Sequence, residues 1–153
     1  MTSIPPNIDR FNRFSLAVLQ QLYASFPVPI DVQIASTMMS VVPEDASREE
    51  TWSALASGEH AMKFLAAEGF VSYKAAFVQD DQFMHVTLTM KGLSALGSVP
   101  SSLEKQATLF SKIKGVVSKG IKQASAEQVS DLAAQVFSYG LAAAPTVIGK
   151  LLP

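Results

Sequence analysis

Residues 56–96 constrain the possible fold of this chain more than any other stretch. An apolar helical stripe ends near Gly69, and two runs rich in aromatic and β-branched residues follow at 70–78 and 83–88. The four residues between these runs are polar and favour a turn. Leucines at helical spacing then occupy 90–96. This order predicts a helix, a β-hairpin and a second, short helix.

Small residues stand where these elements must begin and end. Gly69 allows a sharp turn from helix into strand, because it has no side chain to clash. Thr89 can accept a hydrogen bond from the first turn of the short helix, and Gly97 can end that helix. Leu93 and Leu96 are expected to hold the short helix against the core.

The N-terminal part predicts two further helices. Apolar residues recur at steps of three and four over 7–25, with prolines at both ends, which predicts a long first helix. A short edge strand is predicted at 28–30, since Pro29 cannot donate to a neighbouring strand. Asp31 is then predicted to cap a second, short helix.

A third helical region begins at Ser47, which with Glu50 has the spacing of a capping box. The region is either one helix of about twenty residues or two helices, with Ser57 capping the second. Gly58 in the middle and Glu59 on the apolar side favour the break. Four large apolar residues fall near one face and are expected in the core, namely Trp52, Leu55, Met62 and Leu65. A small-molecule pocket formed by the tryptophan and Met38, Met39 and Met62 is the lesser alternative.

The motifs around the hairpin resemble those of the winged helix-turn-helix superfamily. Bacterial transcriptional regulators of the MarR and PadR type end their recognition helix with Glu-Gly and two apolar residues, as in Glu68-Gly69-Phe70-Val71. They leave the hairpin, or wing, with Leu-Thr-x-x-Gly-x-x-x-Leu, which here runs from Leu88 to Leu96. The resemblance covers about residues 8–97. It implies a mainly α fold with a small β-hairpin (α+β).

In DNA-binding members of that superfamily, the helix before Gly69 enters the major groove and the wing tip approaches phosphate. Six residues are candidates for contacting nucleic acid, and the first two are the only clustered arginines: Arg10, Arg13, Arg48, Ser57, His60 and Lys63. Phosphate contacts depend on Lys and Arg. Region 47–68 carries two basic against four acidic residues, and the wing tip carries Asp80 and Asp81. Direct DNA binding is therefore disfavoured.

The charge is divided unevenly along the chain. Residues 1–98 contain six basic and ten acidic side chains, a net charge of −4, whereas 99–153 contain six basic and three acidic ones, a net charge of +3. Residues 98–101 have the composition of a linker. The sequence therefore predicts a winged-helix domain at 1–97 and a C-terminal helical hairpin at 102–153.

Two capping-box spacings predict where the tail helices begin, Ser101 with Glu104 and Ser125 with Gln128. Pro145 is predicted to end the second helix. The two helices carry apolar stripes that are expected to form a dimer interface or to pack on the first helix: Phe110, Ile113, Val117, Ile121, Val129, Leu132 and Val136. The alternative is a cationic amphipathic helix at 102–124 on a membrane surface. Its lysines would be Lys105, Lys112 and Lys119.

No catalytic, metal or cofactor motif stands out. The chain has no cysteine and only two histidines, His60 and His85, without carboxylates at ligand spacing. No phosphate-binding glycine loop or nucleophile motif is present. We therefore expect a non-enzyme without cofactor or metal. No signal peptide is visible and no apolar run reaches the about 20 residues that span a bilayer, so a cytoplasmic protein is expected.

Together these patterns favour a non-enzymatic regulatory module that acts through contacts with other proteins, including a second copy of itself. A DNA-binding transcriptional regulator is the first alternative, and membrane-surface association through 102–124 is the second. A fold alone does not decide between them, since one fold supports many functions.

Overall fold

The computed structural model describes residues 3–77, 79, 81–98 and 108–151, and for 142–151 only the backbone. The chain is mainly helical (65%) with a small antiparallel sheet, which confirms the α+β class. The elements follow one another in this order: α1 (Pro6–Ser25), β1 (Ile30–Gln33), α2 (Ile34–Met39), α3 (Arg48–Ala67), β2 (Val71–Ser72), β3 (Ala75–Phe77), β4 (Gln82–Leu88), α4 (Met90–Leu96), α5 (Leu109–Ser118), a 3₁₀ turn (Ile121–Gln123) and α6 (Ala126–Leu151).

Strand β4 lies at the centre of the sheet. It pairs with β1 on one side and with β2 and β3 on the other, all antiparallel. Phe83 of β4 is the register partner of both Val32 and Ala76. The predicted hairpin is therefore confirmed, with its first strand interrupted between β2 and β3. The short edge strand predicted at 28–30 is present but begins two residues later, at Ile30, because Pro29 has no N–H to donate.

Asp31 does not cap α2, contrary to the prediction. It lies in β1, and its carboxylate accepts a hydrogen bond from the backbone N–H of His85 at 3.1 Å. His85 has a φ of 55°, and the register between β1 and β4 shifts next to it. The first N–H of α2, that of Ile34, donates instead to the backbone oxygen of Asp81 at 2.9 Å. The hairpin tip thus holds the start of α2.

Helix α3 is continuous over 20 residues, so the single helix is correct and the alternative of two helices, which Gly58 and Glu59 favoured, is wrong. Ser47 caps the helix as predicted, accepting from the N–H of Glu50 at 3.1 Å. The Ser57 hydroxyl donates to the carbonyl of Ala54 within the same helix and caps nothing. Gly58 is buried, and a Cβ there would overlap Ile34 of α2. The glycine therefore permits close packing of two helices.

The turn into the hairpin has the predicted geometry. Gly69 has a φ of 85°, a conformation that glycine adopts without steric cost. The Thr89 hydroxyl accepts from the N–H of Gly92 at 3.1 Å, and helix α4 ends at Leu96 with Gly97 as its cap. The side chain of Lys91 donates to the backbone oxygen of Glu68 at 2.7 Å, which satisfies an orphan carbonyl at the end of α3.

The two tail helices differ in extent from the prediction. Helix α5 is capped by Thr108 and ends at Ser118, followed by Gly120 with a φ of 97°, so a helix reaching 124 is wrong. The predicted cap at Ser101 and Glu104, and Lys105, lie outside the described residues. Ser125 caps α6 as predicted, accepting from Gln128. Helix α6 continues through Pro145, which removes one donor and does not end it; the preceding alanines have the highest helix propensity.

The tail belongs to the same core as the rest of the chain. Five of the residues predicted for its interface are buried inside the chain: Ile113, Ile121, Val129, Leu132 and Val136. Phe110 and Val117 are half-buried against that core, and Phe110 stacks on Tyr23 of α1 at 4.2 Å between ring centroids. Phe137 of α6 contacts the rings of Phe11 and Phe70. The apolar stripes of the two tail helices are therefore buried against other residues of the same chain.

One buried hydroxyl gives a prediction about stability. Ser15 lies fully buried in α1, and its oxygen has no hydrogen-bond partner among the described residues. An unsatisfied buried polar group costs free energy, and alanine has nearly the same shape with higher helix propensity. We expect Ser15→Ala to raise the free energy of unfolding by about 1 kcal/mol. Urea denaturation followed by circular dichroism measures the change, and Ser53→Ala on the exposed face of α3 is the matched control.

Candidate interaction face on α3

Helix α3 presents one long stripe to solvent. We define the α3 outer face by residues that are exposed and recur every three to four positions: Glu49, Trp52, Ser53, Ala56, His60 and Lys63. The opposite side of the helix carries Ala54, Met62 and Leu65, which are buried in the core. The middle of the outer face, from Trp52 to His60, is therefore apolar or uncharged, with charges at its two ends.

The placement of Trp52 contradicts the sequence prediction. The side chain is 66% exposed, whereas Met38 and Met62, its expected neighbours in the core, are buried. Met39 is also exposed. A pocket of Trp52 with these methionines is thus wrong. The helical period placed Trp52 near the apolar stripe, but its side chain lies on the exposed side of the first turns of α3.

The exposure of Trp52 gives a direct prediction. We expect Trp52→Ala to change the free energy of unfolding by less than about 0.5 kcal/mol, since surface substitutions rarely do more. Met62→Ala in the same helix is the contrasting variant, with an expected loss of about 3 kcal/mol from the cavity it leaves. Denaturation curves compare the two. A loss at Trp52 close to that at Met62 would place the indole in the core.

The candidate nucleic-acid residues are not gathered on one surface. Arg48 and His60 are exposed on α3, and Lys63 is exposed but paired with Glu59 at 2.7 Å. Ser57 is half-buried and bonded to its own helix. Arg13 is buried, with its guanidinium bonded to Asp9 and to the carbonyl of Ile121. Arg10 lies on α1 and is half-buried, in a cleft that it lines together with Arg13, Lys122 and Glu50 of the first turn of α3.

The Glu59–Lys63 ion pair shifts the pKa of each of its two members. The hydrogen bond from the Lys63 ammonium lowers the pKa of the Glu59 carboxyl group, and the same bond raises the pKa of Lys63. The pair thus contributes stability above the unfolded-state pKa of the carboxyl group, and this contribution is lost as the pH falls through the lowered folded-state pKa.

Removing the lysine should release that carboxyl group. We expect Lys63→Gln to raise the pKa of Glu59 toward its ordinary value, since both the hydrogen bond and the charge are lost. Titration of the glutamate carboxyl carbons by NMR measures this shift. Lys114→Gln on α5 is the control and should leave Glu59 unchanged. An unaltered Glu59 in Lys63→Gln would show that the pair does not form in solution.

The hairpin tip carries acidic rather than basic groups. Asp81 has a φ of 57° and lies in the turn before β4, between Gln79 and Gln82. Its backbone oxygen is already bonded to the start of α2. Asp80 lies outside the described residues. A carboxylate at this position repels phosphate and attracts cations.

Other kinds of site find little support in the described part of the chain. Residues that could hold a metal are not clustered there, and both His60 and His85 are exposed. None of the described helices combines the length and the apolar character needed to cross a membrane.

Comparisons with known proteins identify no relative. No protein-family model, no curated protein and no solved structure matches this chain.

Proposed function

We propose that this chain is a winged-helix module that binds another protein through the α3 outer face. The order of elements supports the winged-helix part of the proposal. Three helices and a strand precede a hairpin, the early strand β1 pairs with the second hairpin strand, and α4 follows immediately. On this proposal α3 is the counterpart of the recognition helix, the element with which DNA-binding members of the superfamily contact their targets.

The exposure of Trp52 is the observation that carries the proposal. Aromatic side chains, tryptophan above all, are enriched among the residues that dominate binding energy at protein interfaces. An indole that is 66% exposed still has most of its area to bury. At roughly 25 cal/mol per Å², covering a large aromatic side chain contributes a few kcal/mol to binding.

The charges around Trp52 indicate the chemistry of the partner. Four exposed carboxylates lie in or just before the first turn of α3: Glu44, Asp45, Glu49 and Glu50. Arg48 is the one basic residue among 44–50, and Arg10 and Lys122 line a cleft with Glu50 at the inner side of this turn. A partner surface with an apolar pocket for the indole and a basic rim would complement this end of the helix. A polyanion would meet repulsion there.

A titration with duplex DNA separates this proposal from its main alternative. A labelled duplex of random sequence is mixed with the protein at low ionic strength, and the duplex anisotropy and protein emission are recorded. Trp52, the only tryptophan of the chain, provides the emission. We expect neither signal to change. Saturable binding that weakens with salt and is reduced by Arg48→Ala or Lys63→Ala would establish DNA binding and overturn the proposal.

A further inference from the structure

A groove runs between α5 and α6, far along the chain from the α3 outer face. Its volume is about 510 Å³, within the range of pockets that hold small molecules. Each helix contributes one wall through residues three, four and seven positions apart, which share a helical face. The wall of α5 includes Lys112, Gly115 and Lys119, and the wall of α6 includes Gln128, Asp131 and Gln135.

The two lysines supply the positive charge of this groove. Neither lies within 4 Å of a carboxylate of the described residues, and Asp131 across the groove is not paired with either. Lys119, the C-cap residue of α5, is seven positions after Lys112, which places the two Cα atoms about 10 Å apart along the helix axis. Gly115 lies between them, and nothing lies within 4 Å of the position where its Cβ would be. The wall therefore offers two cations with open space between them.

The opposite wall offers a different set of groups. Gln128 and Gln135 can each donate and accept hydrogen bonds, and the carboxylate of Asp131 only accepts. A simple anion would bind the lysines, but the carboxylate of Asp131 would repel it. A ligand that also carries hydroxyl groups could donate to Asp131 and bond to both amides. The two walls together thus match an anionic group joined to several hydroxyls.

We infer that this groove binds a small hydroxylated anion, of the class of sugar phosphates and sugar acids. Lys112 and Lys119 bind the anionic group, and Asp131 with the two glutamines binds the hydroxyls. This site is independent of the proposed protein contact, since none of its residues belongs to the α3 outer face.

Titration of the full chain by ¹H–¹⁵N NMR tests the inference. The probes are glucose 6-phosphate and gluconate, with glucose as the uncharged control and inorganic phosphate as the simple anion. We expect saturable shifts of the Gly115 and Gly120 amides with one of the two hydroxylated anions. Which of them binds more tightly identifies the anionic group as phosphate or carboxylate. Glucose should not bind. Inorganic phosphate should bind at least about tenfold more weakly than the hydroxylated anion, because it has no sugar hydroxyls to form hydrogen bonds with Asp131 and the two glutamines.

Three variants assign the binding to the groove. Lys112→Ala with Lys119→Ala should weaken binding at least about tenfold, because charge-assisted hydrogen bonds are lost. Lys114→Ala, an exposed lysine of the same helix outside the groove, should leave affinity unchanged. Gly115→Met should fill the groove and abolish binding while the helix remains folded, since methionine has the higher helix propensity. Each spectrum reports folding independently.

Several results would overturn the inference. Absence of saturable shifts with both hydroxylated anions would remove the site. An equal loss in Lys114→Ala would show a diffuse charge effect. Equal affinity for inorganic phosphate would show an anion contact without any role for Asp131 or the glutamines.

Discussion

Arg13→Leu is expected to lower the free energy of unfolding by about 3 kcal/mol, the loss typical of breaking a buried ion pair. The guanidinium Nε donates to Asp9 at 2.9 Å and its Nη1 donates to the carbonyl of Ile121 at 2.6 Å. The side chain of Arg13 is 11% exposed. One oxygen of Asp9 already lacks a partner among the described residues. Removing the guanidinium would leave a partly buried carboxylate and a buried carbonyl without their donors.

Two variants show whether the loss has this cause. Arg10→Leu removes a charge from the same helix without breaking a hydrogen bond of the described residues, so we expect less than about 0.5 kcal/mol. Asp9→Leu combined with Arg13→Leu should recover much of the loss, because no unpaired charge remains. Urea denaturation measures all three. Equal effects at Arg10 and Arg13 would show that the guanidinium does not connect α1 to the 3₁₀ turn.

Gly92→Ala is expected to destabilise the chain by about 2 kcal/mol through overpacking. A Cβ at Gly92 would overlap the carbonyl oxygen of Phe70 and lie 3.0 Å from Leu88 Cδ2. The carbonyl cannot turn away freely, because it accepts the backbone N–H of Thr89 at 3.2 Å. Alanine gains helix propensity of about 1 kcal/mol, which is less than the steric cost of displacing backbone.

Gly115→Ala provides the matched control, since the same substitution in α5 meets no atom within 4 Å. It should stabilise the chain by about 1 kcal/mol through helix propensity alone. Thermal unfolding would show opposite shifts for the two variants, of roughly −6 °C at Gly92 and +3 °C at Gly115. A Gly92→Ala variant as stable as the parent would show that α4 does not pack this closely on the hairpin.

Local signals in the sequence predicted local structure well. Gly69 adopts the positive φ that was predicted, and Thr89 and Ser125 cap the helices that follow them. Each of these roles involves residues only a few positions apart along the chain. The hairpin follows from the same kind of signal. Such features are predictable because a cap or a positive φ depends on neighbours in sequence.

Several of the wrong predictions concern contacts between distant parts of the chain. Aspartate often caps helices, but the N–H of Ile34 at the start of α2 donates to the backbone oxygen of Asp81 in the hairpin tip and not to Asp31. The break predicted at Gly58 ignored that α2 would pack against a residue without a side chain. The arginine at 13 was a candidate for phosphate contact, and its partner at Ile121 lies 108 residues away. Periodicity contains none of this information.

The candidate interaction face was only partly predictable. The acidic residues around α3 can be counted from the sequence, and their charge alone disfavours DNA binding. The exposure of Trp52 could not be predicted, because a large apolar residue near an apolar stripe is usually buried. The groove between α5 and α6 was missed as well. Its lysines were assigned to a solvated or membrane-facing side, and the signal that could have identified it is Gly115 between them.

Site-specific photo-cross-linking tests the central claim most directly. The photoreactive residue p-benzoylphenylalanine replaces Trp52 in the full chain, and in a control it replaces Gln21, an exposed residue of α1. Both variants are expressed in the native host and irradiated. We expect a discrete protein adduct from position 52, with a basic surface at the cross-linked site, and none from position 21. Adducts of equal yield from both positions, or a nucleic-acid adduct from position 52, would contradict the account.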